Sequence, residues 1–382
     1  MKLCTIFSEF NPFHNGHAYL ISRTRELTGC DAVVCIMSGS FTQRGEICRT
    51  DKFLRAKHAI LSGADAVIEL PTAFAVAPAE IFAKGAVKVI SRLGVHATVA
   101  FGCESCEDGD SESFIKSAEI LKCENEKFKT ELKRGLDGGE SYIKSYANAF
   151  TLCGGDARLL ASPNNILGVE YVKAVSELGA DLDFLPIKRV GAGYHDQTLA
   201  GEFSSASGIR ANADDERIRQ AMPDPSYQDF IRSTDNRERF ERLAVDMLFT
   251  CNKENLKRVY GCTEGLENRL KNLAEGNDYD GVLEFACSKR YSKSRISRII
   301  CANLLGLYAD HAKRFLDGNP PVKILAVKKE RADELLPLLT VKGESDAEEI
   351  ACAEITSRSY SLWRHLSAPL ILDNPNEKMI LV

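Results

Sequence analysis

The sequence predicts an α/β protein: a Rossmann-like doubly wound parallel sheet followed by a mainly helical C-terminal domain. Three observations carry this. Short apolar runs rich in β-branched residues recur through the first half of the chain. Helical stretches alternate with them across short connections, the pattern of a parallel sheet covered by helices. From about residue 210 the strand signal fades and helical periodicity takes over.

The elements follow in order. Residues 3–7 are apolar and read as the first strand; a loop spans 8–16 and a helix about 17–27. Residues 31–37, between Gly29 and Gly39, are almost continuously apolar, as in a strand buried on both faces. Thr50 or Asp51 can cap a helix that runs to about 61, where Gly63 ends it. A third strand at 66–70 stops at Pro71; a helix over 79–93 ends at Gly94; a fourth strand at 96–101 leads into Gly102. Residues 107–147 read as charged helix, 164–178 as helix and 183–187 as a short strand. Helices are expected at 243–248, 266–273 and 294–307, then a strand at 322–327 and a helix at 331–339. The polar stretch at 212–225 suggests a division into a nucleotide-binding domain, 1–215, and a mainly α-helical domain, 216–382.

Apolar residues make up 44% and charged residues 27% of the 382, which is enough to bury a sizeable core. The formal net charge of −5 argues against wholesale coating of nucleic acid but leaves room for a local basic face. The 13 cysteines are odd in number and show no disulfide framework. Cys103-Glu104-Ser105-Cys106 lacks a companion pair for a zinc site and reads as free thiols; no metal site is expected. No apolar run suits a signal peptide or a membrane span, so the expected home is the reducing cytoplasm.

In a doubly wound sheet the ligand sits beyond the carboxyl ends of the strands, where the first loop, Ser8 to His17, is placed. His14 and His17 flank Asn15-Gly16 at the start of a helix. A helix N-terminus offers unpaired N–H groups and partial positive charge, and so binds phosphate. Gly16 permits close approach of a ligand. Two imidazoles three residues apart share one face and can donate to charge developing on a phosphoryl group. Pro12 stiffens this loop and Phe13 can anchor it. Arg44 and Gln43 follow the second strand at the same edge, where Arg44 can pair with phosphate. Lys188-Arg189 ends a strand and Arg189 can clamp phosphate or stack on a base. Ser204, Ser205, Ser207 and Arg210 gather at another helix start. His195-Asp196 is as readily a surface pair as a base with its orienting carboxylate. Lys289, Arg290, Lys293, Arg295 and Arg298, interrupted by Tyr291, make a basic stripe that is either a solvated helix face or an RNA contact.

His14-Asn15-Gly16-His17 resembles the signature of the HIGH-motif nucleotidyltransferases. The likeness extends to the tRNA(Met) cytidine acetate ligase family. It is carried by residues 9–17, by 37–46, by 63–71, by Ser162-Pro163-Asn164-Asn165, by residues 187–196, by Phe203 to Arg210 and by the basic stripe, in order along the chain. Ser40 stands where that family usually has Asn or Asp, and Cys103 where it usually has Ser. The resemblance implies an enzyme that activates acetate with ATP and acetylates the wobble cytidine of elongator tRNA(Met). It implies ATP on Phe7, Ser8, Glu9, Phe10, Asn11, Pro12, Phe13, Asn15, Gly16, Leu20, Gly102, Asn164 or Asn165, Arg189, Ser204, Ser205 and Ser207. His14, His17 and Arg210 would be catalytic, with Ser40, Gln43 and Arg44 on acetate or phosphate, and Mg²⁺ would accompany the nucleotide. The basic stripe would hold tRNA; neither a membrane nor a stable protein partner is expected. Two other readings remain: an adenylyltransferase acting on a small phosphorylated cofactor precursor, and an RNA-binding protein that has lost catalysis.

Overall fold

Strands that are apolar throughout must be covered on both faces, and here they are. The computed structural model describes residues 1–191, 198–199, 201–288, 290–341, 343–367 and 378–382, with Ile143 described in its backbone alone. The strands are β1 (Leu3–Ser8), β2 (Ala32–Ser38), β3 (Ala66–Leu70), β4 (Ala97–Cys103), β5 (Leu182–Lys188), β6 (Lys323–Val327) and β7 (Ile380–Leu381). They form one sheet in the order β5-β4-β1-β2-β3-β6-β7. The five N-terminal strands are all parallel, as expected, whereas β6 runs antiparallel to β3 and adds an edge that the parallel pattern did not include. Strand order turns back between β1 and β4, so a crevice opens at their carboxyl ends.

Helix α1 (Asn15–Thr28) crosses from β1 to β2, closed by Gly29 in the left-handed conformation. Helix α2 (Lys52–Leu61) starts at Asp51, whose side chain accepts from the Phe53 N–H. It buries Lys52 against Glu69 of β3 at 2.9 Å, satisfying both charges within the core. Residues 107–147, expected as one charged helical region, divide among Glu112–Cys123, Glu126–Asp137 and Tyr142–Leu152. Cys103 and Cys106, expected as free thiols, are brought together at the end of β4 with their Cα atoms 6.0 Å apart, close enough for a bridge.

The expected boundary at 215/216 is crossed by both the sheet and the main hydrophobic core, which runs from Leu3 to Leu366. The helix Ala347–Ser367 lies against the β2–α2 connection. There Trp363 Nε1 donates to the Cys48 carbonyl at 2.6 Å and the Tyr360 hydroxyl to Asp51 Oδ2 at 2.8 Å. No helix among the described residues is long and apolar enough to cross a membrane.

Candidate active site

The β1/β4 crevice is a cleft lined from several elements at once. The end of β1, the loop after it and the start of α1 supply Phe7, Ser8, Glu9, Phe10, Asn11, His14, Gly16, His17 and Leu20. The β2–α2 connection supplies Gln43, Arg44 and Glu46; Gly102 comes from the end of β4 and Arg189 directly follows β5. Asn164 enters from the helix Pro163–Leu178, and Ser204, Ser205, Ser207 and Arg210 from the segment around the helix Ala206–Ala211.

The two histidines organise the start of α1. His14 is the N-cap: its Nδ1 accepts from the Gly16 N–H at 3.0 Å. His17 Nδ1 accepts from the His14 N–H at 3.2 Å, closing a reciprocal capping box. The rings stack, with centroids 3.8 Å apart. Because each Nδ1 accepts, each neutral ring carries its proton on Nε2 and has that N–H left to donate. Burial holds both rings neutral. Desolvation first, then the Arg189 and Arg210 charges, pull His14 down to about 3. Desolvation, the neighbouring His14 and Arg189 hold His17 well below the usual imidazole range. A Cβ on Gly16 would come within 2.8 Å of His14 Cε1, so this glycine is what lets the cap ring sit over the helix start.

Arg210 is held by Asn11 and Glu46: one guanidinium nitrogen donates to the Asn11 carbonyl at 2.6 Å, another to Glu46 Oε2 at 3.0 Å. Among the described residues, buried Arg189 Nε has no hydrogen-bond partner, and Glu104 Oε1 lies 3.9 Å from it. An orphaned buried donor at a cleft wall marks a place for a ligand acceptor. Glu104 also accepts from Asn164 Nδ2 at 2.6 Å and so orients that amide at the cleft. Asn165 points the other way. It is fully buried, accepting from the Glu104 N–H at 2.8 Å and donating to the Arg158 carbonyl at 3.1 Å. Glu9 is half-buried; desolvation raises its carboxyl, while the Gln43 N–H, 2.6 Å from Oε1, opposes this.

Several expected contacts stand off the cleft wall. Phe13 is buried, with its carbonyl accepting from Ser226 Oγ, and Pro12 lies beside it. Asn15 reaches away to the Glu202 and Gln220 carbonyls at 3.1 and 2.8 Å. Ser40 is buried off the cleft, its Oγ without a partner among the described residues. Conversely, the sequence reading left out Glu46, Leu167 and Tyr171. Leu167 and Tyr171 sit three and seven residues beyond Asn164, on one helical face, a spacing that could have found them.

The basic stripe does not form one free face. Lys289 and the His195-Asp196 pair lie outside the described residues. Tyr291 is buried, its hydroxyl on Glu264 Oε2 at 3.0 Å and its ring under Arg295, so it is no open stacking platform. Arg290 pairs with Glu264. Arg295 donates to the Gly261 carbonyl at 2.8 Å and Arg298 to the Gln43 carbonyl at 3.3 Å. Lys293 is exposed on the helix Lys293–Leu305.

A family model described as HIGH Nucleotidyl Transferase matches residues 1–351. A tRNA(Met) cytidine acetate ligase of Clostridium kluyveri is 33% identical over 98% of this chain and 100% of its own length. One from Caldicellulosiruptor saccharolyticus is 38% identical over 85% of this chain and 82% of its own. The apo structure of Thermotoga maritima TmcAL superposes with a TM-score of 0.86 at 30% identity, covering 95% of this chain and 94% of that one. The same protein bound with alpha-thio ATP gives 0.83 at 28% identity over the same shares. The chain belongs to the HIGH nucleotidyl transferases and, among them, to the tRNA(Met) cytidine acetate ligase family.

Proposed function

We propose that this chain is an ATP-dependent ligase that activates acetate as acetyl-adenylate and then acetylates N4 of the wobble cytidine of elongator tRNA(Met). The observation that carries the reading is the pair of neutral imidazoles at the α1 N-terminus, each with Nε2–H left to donate, in a cleft also lined by Arg189 and Arg210. Neutral donors fixed by the backbone need no reorganisation as charge builds on the departing pyrophosphate. An acetate oxygen attacks the α-phosphorus, and the bond to the bridging oxygen breaks. Arg210 and the two rings stabilise the charge that pyrophosphate takes away. Arg189 and Asn164, at the cleft's far wall, hold the nucleotide. The cytidine amine then attacks the acetyl carbon, loses its proton, and AMP departs. No nucleophile from the protein enters either step.

Mg²⁺ fits this cleft as a companion of the triphosphate. No group of three ligating side chains occurs among the described residues, so phosphate oxygens and water would supply most of its shell, with Glu9 and Glu46 the partly exposed carboxylates that line the cleft. The C-terminal half, 216–382, is assigned to tRNA, with exposed Lys293 and Arg290 as its first contacts.

The test is pyrophosphate release from ATP with and without acetate, for the wild type and His17→Ala. Acetate-stimulated release should fall roughly 10²–10³-fold in the variant, the loss typical of one fixed donor. Absence of acetate stimulation, with tRNA added, overturns the reading and directs attention to phosphorylated cofactor precursors.

A further inference from the structure

Between β2 and α2 the chain makes a small hairpin. Phe41 bridges Ile47, and the Gly45 N–H closes the turn on the Thr42 carbonyl at 2.9 Å. One side of its tip, through Gln43, Arg44 and Glu46, lines the nucleotide cleft. The other side rests on the helix Lys293–Leu305 without a gap. Gly45 has φ +74°, and a Cβ there would lie 2.6 Å from the Ser297 carbonyl oxygen.

The Gln43 peptide is pinned at both ends. Its N–H donates to half-buried Glu9 Oε1 at 2.6 Å, and its carbonyl accepts from Arg298 Nη1 at 3.3 Å. Ser297 Oγ reaches the Gly45 carbonyl at 3.4 Å and is itself held by the Tyr279 hydroxyl at 2.8 Å. Arg298 is half-buried, and its guanidinium is turned to this peptide.

We propose that Arg298 is a positioning residue for the nucleotide cleft, fixing the Gln43 peptide from the helical half and thereby placing Arg44 and Glu46, the latter of which holds Arg210. This rests on the reading of the cleft as an ATP site, but not on acetate being the acyl donor. A displaced hairpin loosens the Glu46–Arg210 pair, and misplacement of such groups weakens ligand binding far more than it changes the fold.

The experiment measures binding of an ATP analogue with an α,β-methylene bridge by calorimetry, for the wild type, Arg298→Ala, Arg298→Lys and Gly45→Ala. The analogue's Kd should rise about tenfold in Arg298→Ala and about threefold in Arg298→Lys, with Gly45→Ala moving the same way. In acetate-dependent exchange KM for ATP should rise while kcat stays within about twofold, whereas simple loss of folded protein lowers kcat and leaves KM alone. Affinity for labelled tRNA at fixed salt should hold within about twofold. Unchanged analogue affinity in Arg298→Ala overturns the proposal; should that variant fail to fold, unchanged affinity in both Arg298→Lys and Gly45→Ala does so. Weakened tRNA binding with a shallower salt dependence and intact analogue affinity also overturns it, by returning Arg298 to a phosphate contact. Analogue binding proceeds whatever the acyl donor, so absent acetate stimulation with intact analogue binding faults the ligase reading and leaves this inference standing.

Discussion

The nucleotide cleft and the helix Lys293–Leu305 are both dense in groups suited to phosphate, yet they hold them differently. In the cleft, the caps of α1 consume the Nδ1 atoms of His14 and His17 and leave Nε2, while Arg189 Nε has no hydrogen-bond partner among the described residues. On the helix, Arg295 and Arg298 are turned to backbone carbonyls, and Tyr291 is buried beneath Arg295. A cationic residue in a sequence therefore says little about whether its donors are available. What decides is whether the fold has already supplied acceptors: for Arg210 in the cleft it has, as for Arg295 and Arg298 on the helix, whereas at His14, His17 and Arg189 donors are left over.

The sharpest way to break that contrast is pH. His14 is kept neutral by burial, down to about 3. The unfolded chain takes up a proton near the ordinary imidazole value, about 6.5, that the folded chain refuses until about pH 3. Stability is therefore whole above that ordinary value and lost as pH falls through the window, by ~1.4 kcal/mol per pH unit for one such ring. His14→Asn keeps an N-cap side chain and removes the titration. Urea midpoints between pH 7 and 4 should drop less steeply in the variant than in the wild type, by about that slope. Parallel pH profiles would mean that the ring protonates freely in the folded protein.

A smaller effect separates two adjacent amides. Asn165→Ala removes two part-buried hydrogen bonds; it leaves the Glu104 N–H without its partner, while the Arg158 carbonyl keeps the Ala161 N–H at 3.2 Å. It should cost ~1–3 kcal/mol of stability, read from denaturant midpoints. Asn164→Ala should instead raise KM for ATP severalfold with little change in midpoint. The reverse pattern would exchange their roles. The sequence could not choose between the two residues, because only the angle around the helix decides which one faces the cleft.

Much else was legible. The strands of the parallel half fell within a residue or two of their places, because continuous apolar runs bounded by glycine admit few alternatives. His14 and His17 were legible because a strand before and a helix after fix what such a motif can do. The helix Ala347–Ser367 was not foreseen: its buried side mixes Ile355, Tyr360 and Trp363 with Cys352, Thr356 and Ser359, which blurs the apolar period. Glu46 was missed for a different reason. Its partner Arg210 is 164 residues away, and no local pattern announces a pair made only by the fold.

The smallest expected effect tests the helix itself. Lys293 is exposed near the start of the helix Lys293–Leu305, and Arg295 lies two positions on, bound to Gly261. If availability is what matters, Lys293→Ala should weaken tRNA binding a few-fold, uniformly across RNA sequences, and lower the salt slope by about one. Arg295→Ala should leave that slope alone and lower the denaturant midpoint slightly, since it removes a hydrogen bond inside the protein. Titrating labelled tRNA at several salt concentrations gives both slopes. Equal losses of slope in the two variants would show that Arg295 exchanges the Gly261 carbonyl for phosphate when RNA arrives, and that the cleft and the helix differ in degree alone.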